Sequence, residues 1–245
     1  NKTISVPVKN DTAYETNRTF DIALSAPTGE GAVGTNGSIT VTLIDNDSML
    51  AFETNTVSVA ESAGTVSLNI LRTGTLTETN TVKYTFKAGT AGTSDFKGTN
   101  GVLTFLPNET NATITVAITD DTLVEGDEVF SVTLSSPAGG AVISGTNTAY
   151  VTIVENDVGL AFAASSYSVS ENGTNITLTV LQTGNTNTAV TVDYATSDLL
   201  ATAGSDYTAT NGTLYFNTNT NSLTITIPIT SDTTLESNET FRVSL

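Results

Sequence analysis

Cysteine, histidine and tryptophan are absent from this chain of 245 residues, and lysine and arginine together number only 8. Without cysteine there is no disulfide framework, no thiolate nucleophile and no zinc–thiolate site. Without histidine the chain lacks the commonest general base and the commonest transition-metal ligand. These absences exclude most hydrolase triads and most zinc or copper chemistry, so the composition argues against an enzyme.

Basic residues are outnumbered by 25 acidic residues, which gives a net charge of −17. Such a surface repels nucleic acid and anionic membranes and attracts cations, although solubility alone is a simpler reason for it. No apolar run is long enough to span a bilayer and no signal peptide is visible, so we expect no membrane insertion. Because the chain begins at Asn1 rather than methionine, we interpret it as a processed chain or a window of a longer one.

Internal repetition dominates the sequence. The stretch LAFETNTVSVAESAG (50–64) recurs as LAFAASSYSVSENGT (160–174), and ILRTG (70–74) recurs as VLQTG (180–184), both at an offset of 110 residues. The run ITVAITDDTLVEGDEVFSVTL has counterparts both before and after it in the chain. These matches divide the chain into the C-terminal half of a repeat, a complete repeat, and a repeat without its last strand, at residues 1–47, 48–157 and 158–245.

Period-two alternation of apolar and polar residues runs through the complete repeat, with Gly, Asn, Asp and Pro turns between the segments. No segment shows a helical stripe. The candidate strands are 49–52, 56–60, 65–71, 81–86, 101–105, 112–118, 128–134 and 149–154. About seven short strands in a repeat of this length predict an all-β chain of tandem immunoglobulin-like antiparallel β-sandwiches.

Acidic residues concentrate near the ends of these strands. The turn TDDTLVEGDEVF (119–130) carries five carboxylates and no basic residue, and VENDV follows the last strand. Like charges at this spacing repel unless a cation or solvent screens them. Oxygen ligands without nitrogen or sulfur neighbours suit Ca²⁺, which accepts six to eight oxygens in irregular geometry, better than Mg²⁺. Strand alternation lets Glu61, the acidic turn and the last strand share one pole of the sandwich.

The run DDTLVEGDEVFSVTLSSP, the GTSDF loop before NGVLTF and the terminal TIVEND resemble Calx-beta domains. These are the calcium-binding repeats of sodium/calcium exchangers, and they also occur in cell-surface adhesion and matrix proteins. The resemblance covers the whole chain as one full and two partial repeats. It implies a seven-stranded sandwich with Ca²⁺ at one pole, next to the following repeat.

Carried over position by position, the resemblance implies metal ligands in each repeat. In the complete repeat they are Glu61, Asp95, Asp120, Asp121, Glu125, Glu155 and Asp157. In the third repeat they are Glu171, Asp206, Asp232 and Glu236, and in the first they are Asp11, Glu15, Asp45 and Asp47. Ser231 and Asn10 replace the first acid of the turn, so we expect weaker sites or fewer ions there.

Three functional hypotheses follow. The first is an extracellular stalk, filament or adhesive segment of a longer protein, whose neighbouring repeats are made rigid by Ca²⁺. The second is a calcium-sensing regulatory module of a transporter, and the third is a carbohydrate- or surface-binding sandwich without a metal. The missing last strand of 158–245 also allows complementation by another copy in a fibre. Sequons such as Asn108-Glu-Thr and Asn172-Gly-Thr make the chain a candidate glycoprotein.

Overall fold

A computed structural model describes residues 1–245 as strands and connecting turns, with no α-helix. One 3₁₀ turn covers Glu61–Ala63. None of the helical structure is long and apolar enough to cross a bilayer. The chain forms two compact units: Asn1–Val59, Ala63–Thr119 and Glu128–Ile153 make the first, and Ala60–Ser62, Asp120–Asp127 and Val154–Leu245 make the second.

The N-terminal residues contribute one hairpin to the first unit. Strand β1 (Arg18–Ala23) pairs antiparallel with β2 (Ser38–Leu43), and Phe20 lies opposite Val41. Both strands are only partly covered, and Ile39 is 57 % exposed. The hairpin therefore shows the pairing of a sandwich without its buried core.

The central repeat contributes ten strands. They are β3 (Ser48–Phe52), β4 (Thr56–Ala60), β5 (Thr65–Gly74), β6 (Asn80–Ala88), β7 (Phe96–Lys97), β8 (Gly101–Phe105), β9 (Asn111–Ile118), β10 (Glu128–Ala138), β11 (Ala141–Ile143) and β12 (Thr148–Val154). One sheet has the order β4-β12-β10-β6-β8 and the other β11-β3-β5-β9-β7. The eight predicted strands are all present. The pattern missed β7 and β11, which are too short to show a period, and β11 pairs with β3 in parallel.

One hydrophobic core lies between these two sheets. Strand β5 buries every second residue, as its alternating sequence predicts, and Leu68 and Ile70 lie almost fully buried. From the other sheet, Val132 and Val151 are completely buried in the same cluster. Side chains from two sheets in one core make a β-sandwich, which confirms the predicted fold class.

The third repeat contributes six strands to the second unit. They are β13 (Val158–Phe162), β14 (Asn175–Gly184), β15 (Val190–Asp198), β16 (Asn211–Phe216), β17 (Ser222–Pro228) and β18 (Phe241–Ser244). Their sheets have the orders β13-β14-β17 and β16-β15-β18, so β18 has a partner on one side only. In the central repeat β4 pairs only with β12. Residues 166–170, which align with β4, have no such partner and form no strand.

Candidate metal centre

Three carboxylates from distant parts of the sequence meet at one end of the central repeat. Glu61 lies in the 3₁₀ turn after β4, whereas Glu155 and Asp157 follow β12. One oxygen from each of the three lies within 4.8 Å of the other two. Glu61 is 8 % exposed, although glutamate rarely lies buried without a partner. The fold therefore concentrates negative charge in a partly buried place.

Main-chain amides organise the carboxylate of Glu155. The N–H groups of Glu125 and Gly126 donate to its Oε2 at 2.6 and 2.9 Å. The N–H of Asp157 donates to its Oε1 at 2.7 Å. Glu155 is thus held between the acidic turn and the residues that follow β12, so these two segments share one ligand group.

The acidic turn is also tied to the rest of the pole. The main-chain N–H of Asp121 donates to Oε1 of Glu61 at 3.3 Å, and the side-chain amide of Asn156 donates to Oδ1 of Asp120 at 3.2 Å. Asp121 closes the turn on itself, because its Oδ1 accepts the N–H of Leu123 at 2.7 Å. These bonds fix the direction of the carboxylates before any ion is added.

The electrostatics of this cluster are unbalanced. Burial raises the pKa of Glu61, and the charges of Glu155, Asp157 and Asp121 raise it further against the opposing bond from the Asp121 amide. Burial and then the charges of Glu155, Asp120 and Asp121 raise the pKa of Asp157. For Glu155, burial also acts upward, but the amides of Asp157, Gly126, Glu125 and Asn156 bring its pKa below the ordinary value. Two of the three carboxylates are therefore destabilised in their charged form.

The donor set at this pole fits a hard divalent cation. Oδ2 of Asp157 is buried and has no hydrogen-bond partner. The charged neighbours that shift the pKa values of Glu61 and Asp157 are all carboxylates, and Glu155 is held by main-chain amides, so no lysine or arginine neutralises these three groups. All the candidate ligands are carboxylate oxygens, which favours Ca²⁺. A cation here would satisfy an orphaned oxygen and remove the mutual repulsion.

Asp95 lies in a different setting, 7 % exposed in the loop before β7. Its Oδ2 accepts the N–H of Gly92 at 2.6 Å. Burial acts to raise the pKa of Asp95, but its hydrogen bonds with Ser94, Gly92 and Glu128 and the charge of Lys97 lower it overall. Glu128, at the start of β10, was missed in the sequence, because its place on an apolar strand resembled an ordinary end residue.

The third repeat reproduces part of this arrangement. Asp206, Glu236 and Glu239 bring their oxygens within 4.8 Å of one another. Burial, then Glu239, Asp206, Asp232 and Glu171 raise the pKa of Glu236. Glu239 was not predicted; it aligns with Glu128, so the signal that could have found it was a second acid three residues after Glu236.

The acidic turn of the third repeat closes in the same way as the central one. The N–H of Asp232 donates to Oε1 of Glu171 at 3.2 Å, as Asp121 does to Glu61. Oδ1 of Asp232 accepts the N–H of Thr234 at 2.6 Å. The local geometry of the turn therefore forms without any residue equivalent to Glu155 or Asp157.

The first repeat keeps only part of the predicted ligand set. Asp47 is 2 % exposed, and burial, then Asp45 and Asp11, raise its pKa. Oδ1 of Asp47 and Oδ2 of Asp45 are buried without hydrogen-bond partners. Glu15 instead pairs with Arg18, which occupies the position of Glu128. A cation of the chain itself thus takes the place of one carboxylate in this turn.

Comparisons with known proteins bear on the whole chain. The Calx-beta domain model matches residues 1–47, 44–157 and 157–245. Adhesion G-protein coupled receptor V1 of Danio rerio is 32 % identical over 190 residues, which are 73 % of this chain and 3 % of the receptor. Sodium/calcium exchanger 1 of Rattus norvegicus is 32 % identical over 231 residues, which cover 84 % of this chain and 24 % of the exchanger.

A further relative is the sodium/calcium exchanger Calx of Drosophila melanogaster, 28 % identical over 82 % of this chain and 22 % of the exchanger. Among solved structures, CBD12 from CALX1.2 has a TM-score of 0.47 at 27 % identity, covering 80 % of this chain and 78 % of that chain. The calcium binding domain CBD12 of CALX1.1 has a TM-score of 0.46 at 27 % identity, with 75 % and 76 % covered. The chain thus spans at most about a quarter of the exchangers and a small part of the receptor.

Proposed function

We propose that this chain, which belongs to the Calx-beta domain family, is a tandem Ca²⁺-binding segment of a longer protein. Calx-beta domains are regulatory or binding modules rather than catalytic ones. The single observation that carries the proposal is the cluster of Glu61, Glu155 and Asp157, with a buried oxygen that has no partner. The sequence matches to sodium/calcium exchangers support the choice of ion.

Ca²⁺ at this pole acts as a cross-link between segments that are far apart in sequence. Glu61 follows β4, Asp120 and Asp121 lie in the acidic turn, and Glu155 and Asp157 lie between β12 and β13. Without the ion, these carboxylates repel one another. With the ion, the residues between β12 and β13 are tied to the acidic turn, so the junction between consecutive repeats stiffens.

Two roles can use such a junction. In the role we place first, the chain is an extracellular stalk or filament segment, and Ca²⁺ is a structural ion bound at about 10⁻⁴–10⁻³ M, as in extracellular modules. The match to an adhesion receptor supports this role. In the second, the chain is a calcium-sensing regulatory module of a transporter, which the exchanger matches support equally. The third candidate function, a carbohydrate- or surface-binding sandwich, needs no metal at this junction.

Thermal unfolding of the full chain in Ca²⁺, Mg²⁺ and chelator tests the proposal. We expect a Ca²⁺-selective rise in Tm, because an ion that binds only the folded form stabilises it by about 2.7 kcal/mol at a hundredfold excess over Kd. Asp121→Asn should remove most of this rise. Asp193→Asn, which removes one carboxylate on β15 that accepts only the Thr213 hydroxyl, should leave it intact. Equal Tm in Ca²⁺ and chelator would refute the metal site.

Calorimetric titration of the same chain separates the stalk from the sensor. A structural ion requires a Kd near the millimolar Ca²⁺ of an extracellular medium, whereas a sensor requires a Kd of about 10⁻⁷–10⁻⁵ M. Small-angle scattering with and without Ca²⁺ then measures whether the ion changes the size distribution of the chain. A micromolar Kd would overturn the stalk role and leave Ca²⁺ binding itself in place.

A second candidate function, strand complementation, has its own observation. In the third repeat a cavity of about 750 Å³ opens beside β18. It is lined by apolar side chains that include Phe162, Tyr167, Ile176, Leu178, Phe241 and Val243, and by the carboxylates of Glu171, Asp206, Glu236 and Glu239. In the central repeat the equivalent edge of β10 pairs with β12, with Phe130 opposite Val151. An alternating strand like β12 from another copy therefore fits this edge.

Binding of a peptide with the sequence of Thr148–Val154 to the full chain tests this candidate. We expect amide signals of β18 to shift on titration, because the free edge offers unpaired N–H and C=O groups. A peptide of the same composition in scrambled order provides the control. Equal shifts with both peptides would exclude strand complementation.

A further inference from the structure

An apolar residue lies at the centre of every acidic turn. Tyr14, Val124 and Leu235 occupy equivalent positions among the carboxylates of the three turns. Val124 is 39 % exposed and Tyr14 is 45 % exposed, whereas Leu235 is 99 % exposed. Val124 and Tyr14 are therefore covered by neighbouring residues, whereas Leu235 is not.

The partner of Val124 is a glycine of the third repeat. Gly184 ends β14, and a Cβ placed there would lie 2.7 Å from Cγ1 of Val124 and 2.3 Å from the carbonyl oxygen of Asp157. A Cβ on Gly159 would lie 3.3 Å from Cγ2 of Val124. The valine side chain thus lies in a depression where two residues have no side chain.

The partner of Tyr14 is the equivalent glycine of the central repeat. A Cβ on Gly74 would lie 2.8 Å from Cε2 of Tyr14 and 2.7 Å from the carbonyl oxygen of Asp47. Gly74 and Gly184 have φ values of +91° and +75°, which side chains rarely adopt. Two independent copies of one contact, with different apolar residues, show that its geometry does not depend on one side chain.

The same glycine also positions the main chain of the ligand residues. Directly after Gly184, the N–H of Asn185 donates to the Asp157 carbonyl at 2.7 Å. Directly after Gly74, the N–H of Thr75 donates to the Asp47 carbonyl at 3.0 Å. The aspartate whose side chain belongs to the acidic cluster therefore has its carbonyl bound by the next repeat.

We propose that Tyr14 with Gly74, and Val124 with Gly184, form a plug and socket that docks the acidic turn of one repeat on the first hairpin of the next. The plug is the apolar side chain at the centre of the turn. The socket is the bare glycine that ends the strand equivalent to β5. Because a Cβ at 184 would lie 2.3 Å from the carbonyl oxygen of Asp157, any other residue at this position would force the main chain at Asp157 to shift.

Cross-linking tests the docking directly, since the chain has no cysteine of its own. In the double variant Val124→Cys with Gly159→Cys, a sulfur in the place of Cγ2 of Val124 would lie 3.3 Å from the Cβ at 159, close enough for a disulfide to form. The new side chain at 159 also approaches the Thr183 hydroxyl, which can rotate away. Oxidised glutathione in chelator should convert most of this variant to the intramolecular disulfide, which a loss of two hydrogens in mass identifies.

Leu235→Cys with Gly159→Cys is the matched control, because Leu235 holds the same position in a turn with no socket against it. We expect at least tenfold less intramolecular disulfide from the control pair. Equal yields from the two pairs, or no disulfide from the 124–159 pair in a folded chain, would overturn the plug and socket.

Hydrogen exchange measures the effect of the plug without a cross-link. Val124→Ala should raise the exchange rate of the Asn185 amide several-fold, and Leu235→Ala should leave it unchanged. Gly184→Ala should raise it further, whereas Gly204→Ala, also at positive φ but with open space for a Cβ, should not. Identical behaviour of the two glycine variants would mean that backbone strain alone accounts for the effect.

Coupling to the ion rests on the proposed function. Since the plug lies in the same turn as Asp120 and Asp121, Ca²⁺ should order both, and the 124–159 pair should oxidise faster in Ca²⁺ than in chelator. Equal rates with efficient cross-linking would refute the coupling and keep the docking. Failure to cross-link in chelator would refute the docking and leave Ca²⁺ binding untouched.

Discussion

The acidic turns at 119–130 and 230–241 share their hydrogen bonds but differ in their surroundings. Each has an aspartate that closes the turn and a main-chain amide that donates to a glutamate, which is Glu61 after β4 or the aligned Glu171. The central turn adds bonds to Glu155, which follows β12. The sequence ends at Leu245, so it holds no residues of the third repeat that correspond to β12. The turn is therefore a property of local sequence, whereas the complete ligand cluster depends on the last strand.

The same contrast extends to the cores. Phe130 stacks on Phe96 with centroids 4.0 Å apart, and the equivalent Phe241 stacks on Tyr207 at 4.2 Å. Phe130 is 1 % exposed, but Phe241 is only half-buried because the edge beside it is open. One aromatic pair thus occurs in a closed and in an open sandwich, which isolates the contribution of the last strand.

The largest expected effect comes from removing these phenylalanines. Phe130→Ala should destabilise the central repeat by about 3–5 kcal/mol, since it empties a fully buried site. Phe241→Ala should cost the third repeat less, about 1–2 kcal/mol, because solvent already reaches the side chain. Urea unfolding followed by NMR signals of each repeat measures both. Equal losses would show that the third repeat is closed in solution.

Arg72 and Gln182 provide the next comparison, at equivalent positions on β5 and β14. Arg72 is 2 % exposed and donates to the carbonyls of Leu106, Thr75 and Glu78 at 3.0, 3.1 and 2.7 Å. Gln182 donates to the Asn185 carbonyl at 3.1 Å. Arg72→Ala should therefore cost about 2–3 kcal/mol and Gln182→Ala about 1 kcal/mol.

Arg72→Gln is the control for this pair, since glutamine is accommodated at position 182. It should lose less stability than Arg72→Ala in the same urea titration. If both Arg72 variants unfold at the wild-type midpoint, the buried hydrogen bonds contribute nothing net.

A smaller effect is expected from exchanging the first acid of the turn. Ser231→Asp should tighten Ca²⁺ binding by the third repeat about tenfold, or about 1.4 kcal/mol, because it adds one carboxylate to the group of Glu171, Asp232 and Glu236. Asp120→Ser should weaken the central site in the same calorimetric titration. A gain for Ser231→Asp in Mg²⁺ as large as in Ca²⁺ would contradict a Ca²⁺-selective site.

Much of this structure could be predicted from the sequence because its signals are local. Alternation predicted every strand of more than three residues in the central repeat, and strand ends predicted that Glu61, the acidic turn and Glu155 share a pole. Glu128 and Glu239 were missed because an acid that begins a strand resembles an ordinary solvent-facing end. The pairing of Glu15 with Arg18 is local, since the two residues are three positions apart, but the family resemblance gave Glu15 the role of a metal ligand instead. Ligand identity stays a prediction for every one of these acids.

The smallest expected effect is the dependence of stability on pH without metal. The pKa values of Glu61, Asp157 and Asp47 are raised in the folded chain, so their charged forms destabilise it. Stability in chelator should therefore rise slightly as pH falls from 7 towards their ordinary values of 4.5 and 3.8. The lowered pKa of Glu155 opposes this trend only below its ordinary value of 4.5.

In excess Ca²⁺ the direction should reverse, because protons compete with the ion for the same carboxylates. Thermal scans from pH 7 to 5 in chelator and in Ca²⁺ measure the two slopes. Glu61→Gln is the control: it should raise Tm at pH 7 in chelator, flatten the chelator slope and reduce the gain from Ca²⁺. A Tm that falls with pH in both conditions would mean that the pole is not a strained anionic cluster. The acids of the central repeat would then be as solvated as the turn that holds Leu235.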